Sequence, residues 1–360
     1  MFPAPTRVWW AALVIVAAVL ELCYPPSLLT RLAVGMLALV AAVLGGIVLW
    51  SAREEPEPAP APIIEPPPVP VPVEPPPPLN EQVSPRFGRG SKAQALPWLL
   101  SPHAVYPGIA ADEGRLGDLT VRAASVIGPG HRCEEPVSPR QDAYRLGRDD
   151  AGQHLVVAVA DGVSSSAFAE LGATVAASAA VNLLRERLNR ADTIAWLEVY
   201  GGIAAQMAEA AATRNLRNAD VYTALVTAII PAGPAGWDRE MWVAWVGDAS
   251  VWLLRDNEWI FVAGDRKRSS GGLESNVVAN VLPDGPHAVA TAAVRLGTGS
   301  VVAIVTDGVG DALATLPEAN RYFARSWATP PSSTAFIDDV GYDAESFQDD
   351  RTAVAVWVSP

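Results

Sequence analysis

Apolar and polar positions fall into four successive textures along this chain. Val8 to Leu22 and Leu32 to Trp50 are almost uninterrupted apolar stretches, divided by Cys23-Tyr24-Pro25-Pro26. Residues 56–78 hold 13 prolines among Ala, Val, Ile and Glu. Residues 79–117 are polar and punctuated by Pro and Gly, and no periodicity in them predicts an element. From about residue 118, short β-branched runs alternate with longer runs rich in Ala and Leu. Strands are predicted at Asp118–Ile127, Ala143–Gly147, Leu155–Ala160, Tyr222–Ile230, Met241–Val246, Val301–Val305 and Thr352–Val358. Helices are predicted at Ala167–Arg190 and, roughly, Thr193–Arg217. Val251–Arg255 and Glu258–Val262 flank the turn-prone pair Asp256-Asn257 and predict a hairpin. Hairpins demand antiparallel pairing, and strands followed by paired helices and then more strands imply a mixed α/β sandwich.

One feature recurs among these runs. Leu155 to Ala160 is a continuous apolar segment, the signature of a strand buried on both faces, and it ends abruptly in Asp161-Gly162 and small polar residues. Val301 to Val305 repeats the pattern, running into Thr306-Asp307-Gly308-Val309, and Val243 to Val246 followed by Gly247-Asp248 is a looser echo. Asp-Gly alone is ordinary turn punctuation. Three distant runs with one grammar ask for more, and carboxylates gathered from separate strand ends suggest hard-cation binding. Asp142 and Asp350 also stand at strand boundaries. Converging carboxylates repel strongly once desolvated, and a pair of divalent cations resolves that repulsion. Oxygen ligation points to Mg²⁺ or Mn²⁺, and with four histidines in the whole chain a His-rich zinc site is disfavoured.

The N-terminal texture predicts membrane association. Leu32 to Trp50 is 19 residues without a charge, enough to cross a hydrocarbon core of about 30 Å, with Trp50 where an interfacial aromatic belongs. The first stretch is shorter and carries Glu21; it runs into Tyr24-Pro25-Pro26 in place of a small-residue cleavage site, so a two-helix hairpin (8–24, 32–50) is preferred over a signal peptide. Residues 1–53 are therefore expected to anchor the chain in the cell membrane, and the weak positive-inside signal leans towards a cytoplasmic bulk. The proline-rich segment favours extended polyproline II, a stalk of roughly 70 Å at about 3.1 Å per residue. The expected organisation is an anchor (1–53), a linker and irregular lead-in (54–117) and a folded domain (118–360).

Net charge of −13 and the absence of any basic stripe exclude an ordinary nucleic-acid binder. The two cysteines, Cys23 and Cys133, do not make a disulfide framework. A cysteine-type phosphatase would need an arginine six residues after its nucleophile, and six after Cys133 stands Pro139. Gly264 to Pro286, with Arg266, Lys267 and Arg268, reads either as an idle surface excursion or as a mobile flap carrying positive charge over the acids.

Six segments, in order, resemble the metal-dependent protein phosphatases of the 2C (PPM) type: Gln141-Asp142, Ala160-Asp161-Gly162, Thr223-Ala224-Leu225, Val246-Gly247-Asp248-Ala249, Thr306-Asp307-Gly308 and Asp349-Asp350-Arg351-Thr352. The Gly-x-x-His loop leading to Gln141-Asp142 looks like a divergent bacterial branch of that family. The resemblance implies an α+β fold, two antiparallel sheets packed face to face as a sandwich with helix pairs outside (α-β-β-α), here preceded by transmembrane helices. It implies that Asp161 bridges two ions with the Gly162 carbonyl nearby, that Asp307 and Asp350 complete one shell, that Asp142 supports the other side, and that Asp248 meets a third, weaker ion. Gly264 to Pro286 takes the place of the family's flap.

This sequence also departs from the family pattern. Gln141 stands where Glu is usual, Arg351 where Asn is usual, and Val137 where a phosphate-contacting arginine is usual. Arg132 or Arg140 is the candidate substitute, and His131 a candidate proton donor or supporting group. The activity implied is hydrolysis of phosphoserine and phosphothreonine in phosphorylated proteins, by attack of a metal-bridging hydroxide. The alternative is a pseudophosphatase that binds phosphoproteins without turning them over.

Overall fold

The computed structural model describes residues 84–92, 106–134, 138–265, 269–270, 273–274 and 280–360. Contacts divide the chain into Met1–Pro75 and Pro76–Pro360, and every described residue belongs to the second unit. The predicted membrane hairpin, the proline-rich stalk, Val137 and the cluster Arg266 to Arg268 lie outside the described residues. Among the described residues no helix is long and apolar enough to cross a membrane.

Among the described residues, fifteen strands and six helices carry the fold. In chain order the strands are β1 (Arg86–Phe87), β2 (Ile109–Leu116), β3 (Leu119–Val126), β4 (Ala143–Arg148), β5 (His154–Gly162), β6 (Thr223–Pro231), β7 (Arg239–Val246), β8 (Ser250–Arg255), β9 (Glu258–Ala263), β10 (Ser269–Ser270), β11 (Leu273–Glu274), β12 (Ala290–Leu296), β13 (Val301–Val305), β14 (Asp343–Ala344) and β15 (Arg351–Val358). The helices are α1 (Pro129–Arg132), α2 (Ala169–Asn189), α3 (Trp196–Ala212), α4 (Asp307–Thr315), α5 (Pro317–Ser326) and α6 (Ser333–Val340).

Two sheets make the sandwich, one of five strands in the order β12-β7-β6-β5-β4 and one of six in the order β2-β3-β15-β13-β8-β9, antiparallel throughout. The period-two alternation of strand side chains assigns each residue to a layer. On β5, Val157 and Val159 enter the core between the sheets, while Val156, Ala158 and Ala160 face α2 and α3. On β13, Val302 and Ile304 enter the same inner core, while Val301, Ala303 and Val305 face α4, α5 and α6. Continuous apolar runs thus mark strands covered on both faces, and each fully buried Val or Leu adds about 1.5–3 kcal/mol over exposure. Helix α2 approaches its sheet closely because Ala173, Ala176, Ala177 and Ala180 form its inner stripe.

The sandwich with outer helices matches the layered architecture read from the sequence. Two pairings lie ahead of residue 118: β2 forms an edge along β3, and β1 pairs in parallel with β14. The strand ends Gly162, Val246, Val305 and the start of β15 all lie at one end of the sandwich, since β5, β7 and β13 run towards it and β15 runs away. That shared end gathers the acids.

Candidate active site

A cavity of about 1080 Å³ opens at this end, lined by Asp161, Gly162, Asp248, Asp307 and Asp349 among others. Asp161 terminates β5 beside Ala224 of β6. Asp248 sits in the crossing from β7 to β8, where Gly247 takes a φ of 89° that side-chain-bearing residues rarely adopt. Asp307 does not end a strand as the sequence pattern suggests; it opens α4, and its N–H donates to Asp161 Oδ2 at 3.2 Å. Gly162 is required by close packing, because a Cβ there would lie 2.7 Å from the Gln141 carbonyl oxygen and 2.8 Å from that of Ala169.

The electrostatics of this end are dominated by like charge. Burial, then the charges of Asp307, Asp142, Asp248 and Asp349, push the Asp161 carboxyl well above the ordinary carboxylate range. Part of the Asp161 surface still opens to the cavity, so burial acts here through enclosure by protein on the other sides. Burial and Asp307 likewise raise Asp349, although 48% of its side chain still meets solvent, which moderates that push. Asp265 and Asp311 add two further acids to the lining, and no described lining residue is basic.

Beneath the cavity floor Asp142 is enclosed, and its Oδ2 accepts from the hydroxyls of Thr306 and Thr352, each at 2.8 Å. Burial and the charges of Asp350 and Asp349 raise its carboxyl well above normal, against those two hydrogen bonds. The side chain reaches Asp161 through its charge, not by lining the cavity.

The structure places several sequence-predicted residues elsewhere. Asp350, read as part of one ion's shell, is turned into the wall: Oδ1 accepts the Gly128 N–H and Oδ2 the Gln141 N–H, both at 2.6 Å. Its neighbour Asp349 faces the cavity instead. Asp349 lies in a bend just ahead of β15 and Asp350 is held by the Gly128 and Gln141 N–H groups, so one position decides which acid is presented. His131, Arg132 and Arg140 are all buried and none lines the cavity. The reason is local, since Gly130 donates to the Gln348 carbonyl at 2.9 Å and α1 is thereby drawn against the loop before β15. Arg140 spends its guanidinium on the Ser125 hydroxyl at 2.6 Å, the Pro107 carbonyl at 3.2 Å and the Asp142 carbonyl. His131 Nδ1 lies 3.1 Å from Asp350 Oδ1 but is misaligned for a hydrogen bond, so the attraction is ionic. Burial disfavours the imidazolium, yet Asp350, with Asp349 and Glu134, overrides this and raises its pKa to about 9. Arg351 lies 4.5 Å over the Tyr342 ring and donates to the Phe347 carbonyl at 2.6 Å, behind the site.

The donor set suits a hard divalent cation: carboxylate oxygens with surplus negative charge, and neither His nor Cys among the described lining residues. Among the described residues no three such side chains are already gathered as a ready-made metal group, so the fit is one of donor chemistry and charge.

The sequence model of protein phosphatase 2C matches residues 127–335, more than half of the 360. The chain belongs to the protein phosphatase 2C family. It is accordingly an enzyme of the metal-dependent phosphoprotein phosphatase class, divergent from its solved relatives. The fold is similar to that of the serine/threonine phosphatase of S. agalactiae, at 14% identity and a TM-score of 0.50, over 67% of this chain and all of that one. Other similar structures are Stp1 of Staphylococcus aureus (16% identity, TM-score 0.47, 69% of this chain and 100% of that one) and PppA of Pseudomonas aeruginosa (16%, 0.47, 67% and 98%). No curated protein matches the chain at the sequence level.

Proposed function

We propose that this protein phosphatase 2C is a membrane-anchored enzyme that hydrolyses phosphoserine and phosphothreonine in proteins on the cytoplasmic side. The observation that carries the catalytic part is Asp161, held among four other acids in a cavity with no basic described residue to neutralise them. Such a site repels a phosphate monoester unless cations intervene. Mn²⁺ or Mg²⁺, when bound, supplies a water of lowered pKa and positive charge for the transferring phosphoryl group. Asp161, Asp307 and Asp349 would hold the ions, with the Gly162 carbonyl alongside and Asp248 at a further one. Asp142 is kept in place by Thr306 and Thr352 and adds its charge from beneath. The end of β5, the start of α4 and the loop before β15 fix these carboxylates before substrate arrives, so little reorganisation is needed during reaction.

Hydrolysis of an aryl phosphate and of a phosphoserine peptide by the purified full chain with Mn²⁺ tests this reading. Asp161→Ala with Asp307→Ala should lose at least about 10³-fold in rate, in line with removal of a catalytic electrostatic group; equal rates for the two proteins sink the phosphatase reading. Gln141 in place of an acid and the burial of Arg132 and Arg140 away from the cavity favour a second reading, a phosphoprotein-binding module. Phosphopeptide binding with Mn²⁺ but no turnover would select it.

The anchor rests on the apolar stretches 8–24 and 32–50, and the proline-rich segment is its spacer. A C-terminal reporter active only in the cytoplasm should be active; a reporter active only outside would place the domain across the membrane and overturn this part.

A further inference from the structure

Residues 84–92 precede the family match at residues 127–335, yet they pair with the segment that leads into the cavity-lining residues Ser346 to Asp349. Strand β1 pairs with β14, the Asp343 N–H donates to the Pro85 carbonyl and the Glu345 N–H to that of Arg89, both at 2.8 Å. Phe87 is buried, with ring centroids 5.4–5.6 Å from Tyr342, Phe323 and Tyr322. The buried Asp343 carboxylate accepts from Arg86 Nε at 2.9 Å and from the Ser91 N–H at 2.8 Å. A Cβ on Gly90 would lie 2.5 Å from that same carboxylate.

The segment ends at the loop that presents Asp349. The Ser91 hydroxyl donates to Gln348 Oε1 at 3.0 Å and accepts from Gln348 Nε2 at 2.8 Å. Gln348 itself lines the cavity next to Asp349, and its carbonyl is held from the other side by Gly130. The Glu345–Asp349 loop is thus gripped between α1 and a strap contributed by residues ahead of the family match.

We infer that Ser91, with Arg86 and Phe87 securing the strap, is a positioning residue that fixes Asp349 for cation binding through Gln348. The inference rests on the metal-dependent reading of the site. Groups that orient a metal-holding side chain through hydrogen bonds typically matter about 10–100-fold in metal affinity. A strap that only braces the fold would change thermal stability and leave affinity alone.

Calorimetric titration of Mn²⁺ into the full chain separates these outcomes, alongside the Mn²⁺ dependence of aryl phosphate hydrolysis and the thermal midpoint of the apo protein. Ser91→Ala should weaken Mn²⁺ binding about 10-fold, with a thermal midpoint within about 4 °C of wild type, the scale of one lost hydrogen bond. Ser91→Thr, which keeps the hydroxyl, should restore affinity. An unchanged Mn²⁺ affinity in Ser91→Ala, or a loss that Ser91→Thr fails to restore, overturns the inference. If the wild type binds Mn²⁺ without turnover, the phosphatase reading fails while calorimetry still decides the role of the strap. No Mn²⁺ binding by the wild type overturns both.

Discussion

The two ends of the sandwich treat buried acid in opposite ways. At the end where β7 begins, Arg239 meets Asp118 in a bidentate pair, with Nη1 to Oδ1 at 2.7 Å and both side chains almost without exposure. Asp149, in the turn between β4 and β5 at that same end, accepts from the backbone of Gln153 and His154 at 2.7 and 2.9 Å and lies 3.1 Å from the His154 ring. At the end where β7 finishes, Asp161 has four acids around it and one backbone N–H. The same strands therefore carry full charge compensation at one end and a deficit at the other. Among the described residues an arginine stands beside Asp118 and none beside Asp161, which leaves the deficit as a property of the site. Strongly perturbed acids in a cavity are a functional signature, whereas a matched pair reports only on folding.

The sharpest way to break this contrast is to remove an acid from each end. Asp118→Ala leaves Arg239 buried and unpaired and should cost about 3–5 kcal/mol of stability, measured by urea denaturation. Asp161→Ala should cost far less in the absence of metal, because it relieves repulsion; a loss as large as that of Asp118→Ala would erase the distinction between the two ends. Metal gives the next effect in size. Saturating Mn²⁺ at about 100 times its Kd should stabilise the wild type by about 2.7 kcal/mol, read as a rise in thermal midpoint, and the rise should vanish in Asp161→Ala. Persistence of the full rise there would place the cation elsewhere.

Acid pH gives the smallest effect. Burial opposes the Asp118 charge, but Arg239 and the Gly233 N–H outweigh it and hold the carboxyl below its ordinary 3.8. His154 and the backbone of Gln153 and His154 do the same for Asp149, again against burial. The folded state thus binds these protons less tightly than the unfolded chain. Their stabilisation is complete above the ordinary carboxylate range and is lost as pH falls from about 4 through the lower folded values. Metal-free wild type should lose stability in that window, and Asp118→Ala should show a shallower decline; equal slopes would remove Asp118 from the account.

The sequence showed the fold most clearly where strands are covered on both faces. Leu155 to Gly162 and Val301 to Val305 are legible because burial on two sides leaves no polar alternation. The hairpin β8–β9 is legible through Asp256 and Asn257, which take φ of 50° and 63° as such a tight turn requires. Strand β2 was missed because it is an exposed edge whose Asp112, Glu113 and Gly114 look like loop. Helices α4 to α6 were missed as well: Gly308 and Gly310 disguise α4, and Val309 reads as the continuation of a strand. Pro317 at the first position of α5, with Ala319 and Phe323 buried four apart, was the available signal. Recognising α4 would also have placed Asp311 one turn beyond Asp307 on the same face.

Site legibility followed the same physics. Acids ending isolated apolar runs were readable, and the choice between Asp349 and Asp350 was not, because a shift of one residue reverses which side chain faces outward. His131, Arg132 and Arg140 looked available because a Gly- and Pro-rich stretch reads as exposed loop; α1 folds the first two inward, and Arg140 is drawn in by the Ser125 hydroxyl and the Pro107 carbonyl. Ser91 had no local signal at all, since its partner Gln348 lies 257 residues away.

The position of β15 has a consequence for biosynthesis. It follows every other described strand in sequence, yet it lies between β3 and β13 in the middle of its sheet. On the ribosome, β3 and β13 must wait with bare edges until Arg351–Val358 has emerged, a period in which unpaired strands invite association between neighbouring chains. Pairing of that strand with β13 also brings Asp349, just ahead of β15, towards Asp307 at the start of α4, so the acids gather only once the middle of this sheet has closed.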